Sequence, residues 1–469
     1  MRTTTAADRE TFLAAIARHR RASWRVTAAC AAAVIVLAVV VAILMAPLLY
    51  CLIGLGFDVI NLVIPAPDVM GWLGRLVDPL FSSKSVSAAM FIRVGVISAL
   101  PGLALMGAMT YALRHVWRTS PLFDAGGLPG RPLDRGVLAE ERLANIVEEM
   151  AIAAGIPVPR VVVVPGGANA AACGRDEAHV TLLVGEALAA GVDREELEGM
   201  IAHLVGSIAD GDMTIGLRVT TTLALFGLVA RVSASFNDRR AFRQTARLWR
   251  VFLAPTSDGT VALLGALADP FTDSAPAESR TRPAAEQSGL TWREWLLMPL
   301  MGPVLLTGFL SALVTGFLLE PLVALAWRQR KYMADATAVQ LTRDPDALAR
   351  ALAAIADSPK GIALWTAHLA VAADGRGQGG PFGRSIVPIF PSPRKRMAAL
   401  DRMGAHVALA PRPPMPWPAA LVLGGLLSVV GALMCLVVYL LVMVSAAVSG
   451  LFTIVPAAFL HYLLRWLGR

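Results

Sequence analysis

The residues best suited to chemistry lie in one stretch, Asp193 to Asp212, which reads D-R-E-E-L-E-G-M-I-A-H-L-V-G-S-I-A-D-G-D. His203 and Ser207 are four residues apart, so on a helix they share a face. An imidazole serves as a base or a metal ligand, and a hydroxyl becomes a nucleophile once a neighbouring base takes its proton. His203 with Asp210, Asp212 or Asp335 is one candidate metal-binding set.

A helix must hold these groups, and the stretch predicts one. Asp193 is a suitable N-cap, and Glu196, three residues on, completes a capping box. Leu197, Met200, Ile201, Leu204 and Ile208 recur at three- and four-residue steps and form an apolar stripe. Upstream, Arg142 to Gly155 predicts an amphipathic helix closed by glycine. Pro159 to Pro165 predicts a short strand between prolines, Gly166 to Gly174 a turn-rich connection, and His179 to Gly185 a second strand. Downstream, Arg328 to Leu352 predicts a helix, a break near Pro345 and another helix.

Composition sets the surroundings. The chain has 469 residues, 56% of them hydrophobic, and a formal charge of +8; its mean hydropathy is +0.61. A membrane protein follows, with the lipid bilayer as its first partner. The basic balance sits beside apolar runs, as the positive-inside rule expects, and no aromatic-basic motif points to nucleic acid. Cys30, Cys51, Cys173 and Cys435 form neither a disulfide framework nor a thiolate zinc site.

The pattern divides the chain. Residues 1–25 form a basic lead on the cytoplasmic side, and 26–113 hold two spans with an external loop. Residues 119–213 begin a folded domain. Residues 214–327 form an apolar hairpin around a flexible loop at about 237–292, with a strong span candidate from Trp295 to Leu319. Residues 328–411 complete the domain, with a Gly-rich loop from Asp374 to Gly383. Residues 413–469 provide two further spans, which return Arg465 and Arg469 to the cytoplasm. His368 and His406 carry no motif. The fold class expected is a mainly helical polytopic membrane protein with an α+β domain and a small sheet.

Four segments in order resemble the HtpX-type and CAAX-prenyl-protease-type membrane zinc endopeptidases, a gluzincin family. P-V-P-R-V-V-V-V with A-N-A-A-A-C-G resembles the family's substrate-edge strand and its N-A-F-A-x-G, with Asn169 and Gly174 matching. The Asp193–Asp212 stretch resembles the family helix that carries H-E-x-x-H, with Glu196, Leu197, Ala202, His203 and Asp212 matching. R-K-Y-M-A-D-A resembles R-E-x-x-A-D, with Ala334, Asp335 and Ala336 matching. P-S-P-R-K-R-M-A-A-L resembles T-H-P-x-x-x-R-I-x-x-L, with Pro391, Arg396 and Leu400 matching and Phe390 at the His position.

The resemblance implies a cytoplasmic zincin-like domain in a bacterial-type inner membrane. It places the zinc ligands at His203, Ser207 and Lys331 and the general base at Leu204. A hydroxyl is a poor zinc ligand, an ammonium is none, and leucine moves no proton. No cofactor is therefore expected, and zinc only if the family activity persists. The expectation is that the Lys331 ammonium fills the ion's space and donates to His203 and Ser207. Asn169 is expected to line a polypeptide groove, and Asp212, Asp335 and Arg396 to support the frame. A non-catalytic binder of membrane-protein segments or a partner leads the readings. An active membrane endopeptidase, a Ser207–Lys331 dyad and a membrane scaffold are the others.

Overall fold

The structure is a computed structural model that describes residues 10–82, 87–119, 130–165, 167–216, 218–219, 226, 307–311, 313–357, 371, 389–406 and 416–467. The expected loop at 237–292, most of 214–236, the start of the Trp295 span, His368 and the Gly-rich loop lie outside these residues.

Helix α1, Phe12–Ile60, is the longest element, with 49 residues, roughly 74 Å at 1.5 Å per residue. Thr11 caps it, accepting from the Ala14 amide at 3.3 Å. The basic lead and the first span are thus one helix. Its charged first turns lie along the folded domain: His19 Nδ1 is 2.8 Å from Gln329, and its ring stacks on Tyr332. The apolar remainder packs against α3, Ala88–Thr119, after the short α2, Val69–Ser82. A Cβ at Gly102 would approach Ala42 Cα to 2.5 Å, so glycine sets how closely α1 and α3 meet.

The folded domain begins with β1, Arg131–Pro132, and α4, Leu138–Ala154. Gly155 closes α4 at φ 70°, a conformation that glycine adopts without a steric penalty. Strands β2, Arg160–Val164, β3, Ala170–Asp176, and β4, His179–Gly185, join β1 in a sheet of order β1-β2-β4-β3. Strands β2 and β4 run parallel, and the other pairs are antiparallel. The expected turn-rich connection is therefore largely a strand. Its small residues hid it, because alanine and glycine have low strand propensity and both its faces are covered. Ala170 and Ala172 enter the main core, while Ala171 and Cys173 enter a second cluster with Phe390.

Helix α5, Glu186–Gly191, leads into α6, Arg194–Ala209. Leu197, Met200, Ile201, Leu204 and Ile208 of α6 are all fully buried. They pack with Leu143 and Ile146 of α4 and Leu182 and Val184 of β4. A π turn, Thr315–Leu319, runs into α7, Glu320–Thr342. Arg343 breaks the chain at φ 60° before α8, Pro345–Asp357. Helix α9 is Pro393–Arg402.

Four helices among the described residues are long and apolar enough to cross a membrane: Phe12–Ile60, Ala88–Tyr111, Thr307–Thr342 and Trp417–Val444. The chain's end departs from expectation. Helix α10, Trp417–Ser449, passes through a π turn, Gly450–Ile454, into α11, Val455–Leu467, with no loop for a return crossing. His461 Nδ1 lies 2.7 Å from Asp58, near the C-terminal end of α1, and Arg465 lies 3.3 Å from Asp68. These contacts hold α11 at the end of α1 remote from the folded domain. An apolar count cannot separate two spans from one long helix with a π turn.

The side of the membrane on which each end lies is testable with single thiols in a background where Cys30, Cys51, Cys173 and Cys435 are all replaced by Ser. Glu177→Cys, on an exposed turn of the folded domain, and Leu467→Cys should react with a membrane-impermeant maleimide from opposite faces of the membrane. Labelling from the same face would restore the return crossing.

Candidate functional site

Helices α6 and α7 cross at close range because Gly206 offers no side chain. A Cβ there would meet Thr337 at 2.9 Å. The crossing brings His203 of α6 against Asp335 of α7, both fully buried. His203 Nδ1 lies 2.8 Å from Asp335 Oδ1. A buried carboxylate accepts, so Nδ1 carries the hydrogen and Nε2 presents its lone pair. Nε2 has no hydrogen-bond partner among the described residues.

Arg396 of α9 completes this cluster. Its guanidinium grips Asp335 with two bonds, Nε to Oδ2 at 2.8 Å and Nη2 to Oδ1 at 2.5 Å. Nη1 donates to the Val371 carbonyl at 2.6 Å. The fork geometry suits a carboxylate, and it places a full positive charge beside a buried negative one.

A second cluster lies one turn along α6. The Ser207 hydroxyl donates to Asp212 Oδ2. Arg330 Nε donates to Asp212 Oδ1, and its Nη2 donates to the Asp210 carbonyl at 2.6 Å. The Asp210 carboxylate accepts from Thr337 at 3.2 Å and lies 3.7 Å from Arg20 of α1. Lys331 is buried, 1% exposed, with its ammonium 5.6 Å from the centre of the Phe390 ring. Asp212 and Asp335 attract it and Arg396 repels it.

The structure thus gathers His203, Asp335 and Arg396 in one contact set and Ser207, Asp212 and Arg330 in another. One expectation needs correction. Lys331 donates nothing to His203, because Nδ1 is taken by Asp335 and Nε2 has no partner. The Ser207 hydroxyl donates to Asp212, which leaves its oxygen able to accept. Leu204 belongs to the hydrophobic core. Asn169 is buried before β3, where its Oδ1 accepts from the Ala170 amide at 2.9 Å. His406 sits apart, exposed, with Nδ1 3.0 Å from Asp346. Arg330, Arg20 and Val371 were not singled out in the sequence. Arg330 opens the R-K-Y-M-A-D-A segment but was given no role there, and a lone valine carries no signal.

Burial pushes the His203 imidazole down to about 4, against the pull of Asp335. Burial, and then Asp212, pushes the Asp210 carboxyl up to about 6. The two act on stability with opposite signs. The folded value of His203 lies below the unfolded ~6.5. From pH ~6.5 down to about 4 the unfolded chain therefore binds the extra proton, and stability falls on acidification. The folded value of Asp210 lies above the unfolded ~3.9. From about pH 6 down to ~4 the folded chain binds the extra proton, and stability rises on acidification. Asp210→Asn removes only the second slope. Relative to wild type, the variant should lose up to ~1.4 kcal/mol per pH unit across that window. Denaturant unfolding at a series of pH values checks this, and parallel curves would contradict the raised carboxyl.

The model of peptidase family M48 matches residues 138–404, more than half of the chain. Curated relatives agree. A Protease HtpX homolog of Thermoanaerobacter pseudethanolicus is 27% identical over 268 residues, 56% of this chain and 70% of that protein. One of Lactobacillus helveticus is 30% identical over 217 residues, 46% of this chain and 58% of that protein. One of Pyrococcus furiosus is 35% identical over 138 residues, 27% of this chain and 48% of that protein. No solved structure matches. The matched span runs from the first residue of α4 to the turn after α9 and so encloses His203, Asp335 and Arg396, and on that ground the chain belongs to peptidase family M48.

Proposed function

We propose that this chain is a membrane-embedded member of the family that binds polypeptide without cleaving it. Its cargo is a membrane-protein segment or a partner, held beside β3. Residues 119–213 and 328–411 are the two parts of the binding domain. The basic start of α1 favours the cytoplasmic side of a bacterial-type inner membrane for that domain.

The observation that carries this reading is Lys331, a buried lysine at the position the resemblance gives to a zinc-binding carboxylate. Zinc takes neutral imidazole, thiolate or carboxylate donors, three of them at a catalytic centre. Here the set comprises one imidazole nitrogen, a hydroxyl that donates to Asp212 and a buried lysine. Leu204 supplies no base. These residues do not fit the metal. Nor do they favour a Ser207–Lys331 dyad, since the serine hydrogen points to a carboxylate.

One observation favours the second reading, an active metalloendopeptidase. The His203 tautomer, held by Asp335, turns an unpartnered Nε2 lone pair into the site, as metal-binding histidines do. Metal analysis separates the two. The purified wild type should carry no stoichiometric zinc. The triple variant Leu204→Glu, Ser207→His, Lys331→Glu should take up close to one zinc per chain. Near-stoichiometric zinc in the wild type would return proteolysis to first place.

A further inference from the structure

Helices α1 and α7 run antiparallel. The Phe12 ring lies 4.7 Å from the Arg343 guanidinium, and further along α1 His19 meets Gln329 and Tyr332. That register sets Arg328 level with the turn from Arg21 to Arg25. Composition places the same residues at one boundary. Residues 26–57 carry no charge, so Arg25 is the last charge before α1 enters the bilayer. Residues 321–327 carry none either, so Arg328 is the first charge after that apolar stretch of α7.

The same residues share a side. Arg20 and Arg330 both turn towards α6, to Asp210 and Asp212. Successive helical residues are about 100° apart, and antiparallel helices wind in opposite senses seen from one end. Arg18 and Arg328, each two residues earlier, therefore emerge on the side away from α6. Arg21 and Arg25 follow Arg18 at three and seven residues and share its face. Arg18 is paired with Glu10 at 2.5 Å. Arg21 and Arg25 are exposed and have no side-chain partner among the described residues. The Arg328 Nε is a buried donor without one. Trp24 is 69% exposed, at the level where indoles meet headgroups. Leu325, nearly a turn nearer the bilayer, is exposed beside Arg328.

We infer that Arg21, Arg25 and Arg328 form a site for the phosphate of an anionic phospholipid at the seam between α1 and α7. Guanidinium forks suit a phosphate, and Leu325 offers apolar surface to its acyl chain. The headgroup bridges the two helices beside the His19–Gln329 contact, so the lipid clamps α1 to the helix that carries Asp335. This goes beyond the polypeptide-binding reading and does not depend on it.

The test is native mass spectrometry of the full chain, purified in detergent and titrated with phosphatidylglycerol or phosphatidylcholine. Wild type should bind a first phosphatidylglycerol more tightly than phosphatidylcholine. Arg328→Gln should weaken that binding about five-fold, and Arg21→Gln, Arg25→Gln and Arg328→Gln together about a hundred-fold, the effect expected of each basic residue near an anionic surface. The corresponding triple lysine variant keeps the charges and should restore binding. Arg75→Gln, in α2 beyond the other end of α1, should bind as wild type does. Equal binding of the two lipids by wild type overturns the inference, as does a triple glutamine variant that binds phosphatidylglycerol like wild type. Loss of binding in the lysine variant as well would make the arginines structural and overturn it too. Displacement of the lipid by an equal concentration of inorganic phosphate would reveal a free-anion site and likewise overturn it.

Discussion

The folded domain depends on the Asp335 carboxylate, which is fully buried and cannot stay charged there without partners. It has two, the Arg396 fork and the His203 Nδ1–H. Those partners come from α9 and α6, while Asp335 itself is on α7, so one carboxylate fixes three helices. Removing a single partner of such a group costs about 3–5 kcal/mol, because the remaining charge stays buried. That is a large share of the stability of an ordinary domain. The position of His203 is therefore a consequence of how the domain stays folded, whatever else the imidazole does.

The second constraint is α1, whose two ends do different work. Its first turns meet α7 through His19 and approach Asp210 through Arg20. Its far end holds Asp58, whose Oδ2 lies 2.7 Å from Nδ1 of His461 of α11. An element roughly 74 Å long thus touches the charge cluster at one end and the last helix at the other. The folded domain is held to the membrane part by side-chain contacts along this helix as well as by its own connections.

Much of this was legible in the sequence, and the remainder was hidden for physical reasons. The α6 stripe, the Asp193 cap and Gly155 are local signals, because periodicity and left-handed glycine act within one turn. Strand β4 was visible through its β-branched and aliphatic run. Strand β3 was not, because a strand of Ala, Cys and Gly covered on both faces shows neither alternation nor propensity. The continuity of α1 through its arginines was also hidden, since hydropathy records the apolar part of a helix and not where the helix starts. At the site, motif spacing placed His203, Asp335 and Arg396 in order along the chain. The bond from Ser207 to Asp212 needed three dimensions. So did Arg330 and Val371, whose roles arise from contacts across 118 and 25 residues of chain.

The two clusters are each internally paired. In the His203 cluster each charge is matched: Arg396 balances Asp335, and the imidazole is neutral at ordinary pH. In the second cluster Arg330 balances Asp212, and Ser207 is a donor inside that pair. Neither balance requires an ion at the centre. A metal-binding frame that relied on the ion to offset carboxylates would repel itself once the ion left. Here Arg396 pairs with Asp335 and Arg330 with Asp212. The packing of α6, α7 and α9 against one another therefore rests on side-chain pairs that lie within the described residues.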